Sequence, residues 1–149
     1  MKDPARRIPV RATTNPPIVS PQDTPLLLEG GVPQTISVRV VDADGRATAY
    51  FSLPGKEEHT GIEWKCGGYA LLLTFLFESS DTIEITELVP VTPALWFSKW
   101  YTLLTGGPRQ QGCCVPSIPG TYHFNVKYTH KGSVLRRLKI DPQIVVTPQ

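Results

Sequence analysis

The stretch "PGTYHFNVKYTH", Pro119 to His130, decides the fold class. Tyr122, Phe124, Val126 and Tyr128 fall on one side of it, and His123, Asn125, Lys127 and Thr129 on the other. Successive side chains of a strand point to opposite faces, so this alternation predicts a half-buried strand, opened by the turn at Pro119-Gly120. The chain on either side repeats the pattern. In "QTISVRVVD", Ile36, Val38 and Val40 share one face while Ser37 and Arg39 take the other. Asp44-Gly45 follows, a tight-turn signal because glycine tolerates positive φ. "ATAYFSL" then returns, so residues 34–53 are predicted as a hairpin. "GIEWKC" reads as a short strand ending at Gly67-Gly68, and "ALLLTFLF", apolar almost throughout, as a strand buried on both faces. "DTIEITELV" turns Ile83, Ile85 and Leu88 inward and its glutamates outward. "SVLRRLKI" and "QIVVT" complete the set, with Asp141-Pro142 breaking between them.

One segment is ambivalent. In "TPALWFSKWYTLL", Leu95, Trp96, Trp100 and Leu103 have helical spacing, yet the aromatic density suits a strand equally well; a glycine-rich loop, Gly106 to Cys114, follows. Short strands with turns roughly every 8–12 residues point to an all-β sandwich or barrel. A chain of 149 residues fits one domain with a core of its own. Its fifteen prolines argue against long helices, since each removes an N–H donor and clashes with the preceding turn. Seven of them fall in residues 1–33, which read as an extended arm, either free or laid along the domain with Ile8, Val10, Ile18 and Val19 as anchors; residues 34–149 form the β domain. The N-terminal stretch has basic residues but no apolar run behind them, and "YALLLTFLF" is too short to span a bilayer. The expectation is a cytoplasmic protein with reduced thiols and no membrane partner.

"PGTYHFNV" followed by His130 resembles the C-terminal copper-binding strand of cupredoxins, which are small Greek-key sandwiches. The order of "GIEWKC", "LLLTF", the Gly-Thr-Tyr strand and "DPQIVV" is similar to small bacterial cupredoxin-like or Ig-like domains of unassigned function. The resemblance implies an antiparallel Greek-key β-sandwich. It does not extend to blue copper chemistry, which needs a thiolate with two histidines and a weak axial ligand. Val126 occupies the thiolate position, and the only methionine is Met1.

The remaining metal-ligating side chains carry no local zinc spacing. His59, Cys66, His123 and His130 are the candidates, and the offset of His123 and His130 places them on opposite faces of one strand. Three cysteines make no disulfide framework; Cys113 and Cys114 are adjacent and Cys66 stands alone. Gly-x-Ser-x-Gly, the phosphate-cradling loop and His-Glu-x-x-His are all missing, and the carboxylate pairs Glu57-Glu58 and Glu84/Glu87 read as solvated faces. Neither enzymatic activity nor a cofactor is expected.

Charge is segregated although the net value is only +2. Residues 42–87 hold nine acids against three bases, whereas residues 120–140 hold Lys127, Lys131, Arg136, Arg137 and Lys139, a basic patch, and no acid. The arm adds Lys2, Arg6, Arg7 and Arg11. Phosphate contact through the patch is one reading; pairing with the acidic middle, within or between chains, explains it as well. Nucleic-acid binding is the lesser expectation. Leu95, Trp96, Phe97, Trp100 and Tyr101 are candidates for a partner-facing patch, since aromatics concentrate at interface hot spots, although core burial explains such residues too. The leading expectation is a non-enzymatic binding or assembly module whose partner is another protein or a second copy of itself.

Overall fold

The computed structural model describes residues 22–43, 45–132 and 138–148. Residues 1–21 of the expected arm, and Arg136 and Arg137 of the expected basic patch, lie outside these. The described residues contain no helix. They form β1 (Gln22–Glu29), β2 (Gln34–Ala43), β3 (Arg46–Ser52), β4 (His59–Cys66), β5 (Leu71–Glu78), β6 (Ile83–Pro90), β7 (Trp96–Phe97), β8 (Gln110–Val115), β9 (Gly120–His130), β10 (Leu138–Ile140) and β11 (Gln143–Pro148).

The hairpin read from residues 34–53 is present: β2 and β3 pair antiparallel from Ser37–Ser52 to Ala43–Arg46, and Gly45 turns between them at φ 73°. A side chain at that φ would crowd the backbone, so the turn depends on glycine there. The pairing path then runs β7–β8–β5–β2–β3–β4–β11–β9. Residues 124–130 of β9 take β6 on one flank, while β10 and β11 occupy the other. β10 and β11 face β9 in one unbroken register, Leu138 opposite Tyr128 and Val146 opposite Gly120, interrupted only at Asp141-Pro142.

This architecture corrects the cupredoxin-like and Ig-like reading. An antiparallel Greek-key sandwich has no place for the three parallel pairings observed: β1 with β4, β11 with β4, and β2 with β5. Because β1 and β11 both pair with residues 62–65 of β4, they lie on its opposite flanks. The result is a mixed sheet that curls into a nearly closed barrel. Alternation fixes which side chain faces inward but is the same for parallel and antiparallel neighbours, so it carries no information on direction.

Closure is completed by a side chain. β6 and β8 approach without a backbone ladder between them, and Gln111, buried in β8, bridges the gap. Its Nε2 donates to the carbonyl of Leu88 at 2.7 Å, and its Oε1 accepts the Leu88 amide at 2.9 Å. One amide side chain thus performs the exchange that a neighbouring strand residue would. β6 carries a bulge between Ile85 and Glu87, which brings Ile83, Ile85 and Leu88 to the interior despite the odd spacing.

The interior is one apolar cluster drawn from both sides of the barrel. At its centre Phe51, Phe75, Phe97 and Phe124 pack with ring centroids 5.5 Å apart for Phe97–Phe124 and 6.1 Å for Phe51–Phe75. Such rings bury large apolar areas and add about 0.5–1.5 kcal/mol per well-placed pair. Trp64 is fully buried, and its indole N–H donates to the Gly30 carbonyl at 2.8 Å. β5 is not buried on both faces: Leu71, Leu73, Phe75 and Phe77 point inward, whereas Leu72 is exposed. Cys113 and Cys114 stand in β8 rather than in a loop, so their side chains diverge to opposite faces. All three cysteines are free thiols.

Candidate functional site

Apolar residues that point outward mark the β5–β8–β7 wall. On β8, Gln110, Gly112 and Cys114 face out while Gln111, Cys113 and Val115 face in. Register then aligns three outer rows across the strands. Leu72 of β5 lies opposite Cys114, and Cys114 lies opposite Trp96 of β7. Thr74 lies opposite Gly112, whose carbonyl accepts the Ser98 amide at 2.9 Å and whose amide donates to Ser98 Oγ at 2.8 Å. A Cβ on Gly112 would sit 3.4 Å from that hydroxyl oxygen, in van der Waals contact, so Ser98 lies directly over the strand there. Leu76 lies opposite Gln110, which exchanges two backbone hydrogen bonds with Tyr101 at 2.7 and 2.8 Å.

The ambivalent segment is therefore the irregular outer arm of a hairpin with β8, and residues 102–109 form its tip. Trp96 is 59% exposed and Leu72 55%; Leu103 and Leu104 at the tip are more exposed still. Trp100 lies under the Arg109 guanidinium, 4.4 Å from ring to cation, and Arg109 in turn faces Glu84 of β6 at 3.4 Å. That stack holds the tip against the barrel and neutralises the only cation within it. Tyr69 and Ile118, in the loops flanking the first row, are exposed as well.

Of the five partner-facing candidates, the structure brings Trp96, Trp100 and Tyr101 to the surface. Leu95 is buried and Phe97 joins the central aromatic cluster. Leu72, Cys114 and Ile118 belong to the same face but were missed. The signal existed for Leu72: a continuous apolar run is compatible with burial on both faces or with an apolar outer face, and periodicity does not separate them. Cys113, buried beneath this face, has its thiol pKa pushed up, chiefly by desolvation and secondarily by Cys114. It is a poor thiolate source.

The metal candidates are not brought together. His59 and Cys66 stand at the two ends of β4. His123 Nδ1 lies 3.7 Å from Asp141, and His130 Nε2 lies 3.1 Å from Asp42, which also accepts the Tyr128 hydroxyl at 3.1 Å. Among the described residues no three such ligands cluster. The carboxylate pairs divide as well. Glu58 is buried and takes a bidentate ion pair from Arg39 at 2.6 and 2.7 Å, which raises the Arg39 pKa further above its ordinary value. Glu57 faces His59. Glu84 meets Arg109, and Glu87 sits opposite Lys127. Within the basic patch, Lys127 stands between Glu87 and Lys139 in register, and Lys131 is in the following turn. No described helix is long and apolar enough to cross a membrane.

No family model matches the chain, and no curated protein does. Among solved structures it is similar to the inclusion body protein PixA of Burkholderia cenocepacia J2315, at 11% identity and a TM-score of 0.45, over 78% of this chain and 97% of that one.

Proposed function

We propose that this protein is a non-enzymatic assembly module that binds a second copy of itself through the outer face of β5, β8 and β7. One observation carries the reading: Leu72, Cys114 and Trp96 form an outward row across three paired strands, flanked by exposed Ile118 and Tyr69. Aromatic side chains bury on the order of 150–250 Å² each when fully covered. The exposed parts of Trp96, Tyr69, Leu72 and Ile118 thus supply an apolar centre, which polar surroundings would extend to the roughly 800 Å² that each partner contributes to a stable interface. The row of Leu72, Cys114 and Trp96 bears no charge, which fits a partner of the same apolar character.

Light scattering on a size-exclusion column tests this. The full chain is expected as a defined oligomer, and Leu72→Ser with Trp96→Ser as a monomer of unchanged fold. A chain lacking residues 1–21 asks separately whether the basic arm contributes. A full chain that stays monomeric at high concentration overturns self-assembly and directs the face to a different protein partner.

A further inference from the structure

On the other side of the barrel, a cleft of about 650 Å³ opens between β1 and the turn that joins β3 to β4. Its walls are apolar: Pro25 and Leu27 from β1, and Leu53 from the turn. Leu27 is 61% exposed, unlike the buried Leu26 and Leu28 beside it. Into this apolar setting converge His59, Glu57 and Glu63, with Lys56 as the one cation of the lining. A concave apolar site with a few convergent polar groups is the usual form of a small-molecule pocket.

The charged groups decide what the cleft takes. A register shift in β1 between Gln22 and Pro25 frees Thr24 from the ladder, and its carbonyl and hydroxyl lie 3.2 and 3.4 Å from His59 Nδ1. That contact turns the opposite edge of the ring, Nε2, toward the Glu57 carboxylate at 3.6 Å. A carboxylate at the rim of an apolar cleft favours a ligand that carries positive charge. Glu63 adds a second carboxylate on the outer face of β4. Glu58 takes no part, because Arg39 holds both its oxygens.

We infer that this cleft binds an organic cation, a protonated amine on an apolar body, with the ammonium held by the Glu57 carboxylate beside His59 and the body lying on Leu27 and Leu53. The site is independent of the assembly face and stands or falls separately from it.

The test uses the full chain and three near-isosteric probes: 2-phenylethylammonium, 2-phenylethanol and phenylacetate. Titration followed by NMR is expected to shift the His59 ring and the Leu27 and Leu53 methyl signals with the ammonium. The alcohol is expected to bind about tenfold more weakly, since charge-assisted hydrogen bonds are roughly twice as strong as neutral ones. Phenylacetate is expected to leave these signals unmoved. Glu57→Gln keeps the shape of the rim and is expected to weaken the ammonium about tenfold. Glu63→Gln, which neutralises the second carboxylate of the lining, is expected to weaken it by a smaller factor; the unshifted core signals of both variants report that they remain folded. Equal affinity for alcohol and ammonium, preference for the carboxylate, an undiminished Glu57→Gln, or no response to any probe would each overturn the inference.

Discussion

Two walls of the barrel share one core and differ on the outside. The parallel trio β1, β4 and β11 turns Leu26, Leu28, Ile62, Trp64, Ile144 and Val146 inward, and the β5–β8–β7 wall turns Leu71, Leu73, Phe75, Cys113 and Val115 inward. The register rows outside are unlike. Glu29, Lys65 and Thr147 form one row of the trio, and Leu27, Glu63 and Val145 the next, so charge interrupts every apolar stretch. The opposite wall shows Leu72, Cys114 and Trp96 in unbroken sequence. The inward half of a strand pattern is dictated by folding and is alike everywhere; the outward half is free to vary, and its departures from polarity are where binding is written.

Breaking the shared interior should erase the difference altogether. Phe124 contacts the rings of Phe51, Phe75 and Phe97, so Phe124→Ala is expected to cost about 3–5 kcal/mol in urea unfolding, with both walls lost in one transition. Next comes the seam beside the apolar wall. Gln111→Leu leaves the Leu88 amide and carbonyl buried without their partner, at about 1–3 kcal/mol for each group. Hydrogen exchange should localise that loss to β6 and β8, sparing β1 and β4. A smaller effect belongs to Arg39→Met. It strands Glu58, but Arg39 is itself partly exposed, so about 2–3 kcal/mol is expected from denaturant titration.

The outer faces themselves should matter least to stability and most to assembly. Leu72→Ser and Lys65→Ser are each expected to change unfolding free energy by no more than about 0.5 kcal/mol. Only the first should alter the oligomeric state in light scattering. Cys114 offers a milder probe, because it lies between Leu72 and Trp96 while Cys66 and Cys113 are buried. Native-state thiol titration should label Cys114 first, more slowly as protein concentration rises. A labelling rate indifferent to concentration would count against coverage of this face by a second copy.

Much of the interior was legible from alternation. The inward faces of Ile36, Val38 and Val40, of Ile83, Ile85 and Leu88, and of Tyr122, Phe124, Val126 and Tyr128 are as the residues imply. Strand direction was not, since β4 looks the same beside a parallel or an antiparallel neighbour. β1 was hidden by Pro25 and by a proline-rich setting that reads as extended arm, and β8 by the glycines of "GGPRQQG". Leu72 and Gln111 are the two opposite surprises: an apolar residue facing out in a run that reads as buried, and a polar one facing in. Neither breaks the alternation of its strand. What each does depends on a partner across space, Cys114 for one and Leu88 for the other, and such a partner leaves no mark in the local sequence.

The two flanks of β4 also set an order of events while the chain is being made. Its β1 flank can be covered as soon as β4 exists, because Leu26 precedes Ile62. Its β11 flank waits for Ile144, which is synthesised far later. During that interval β4 is a growing chain's exposed edge, able to pair with a strand of a neighbouring nascent chain. Glu63 and Lys65 on its outer face are the charges that discourage such mispairing, so they serve the unfinished molecule as well as the finished one.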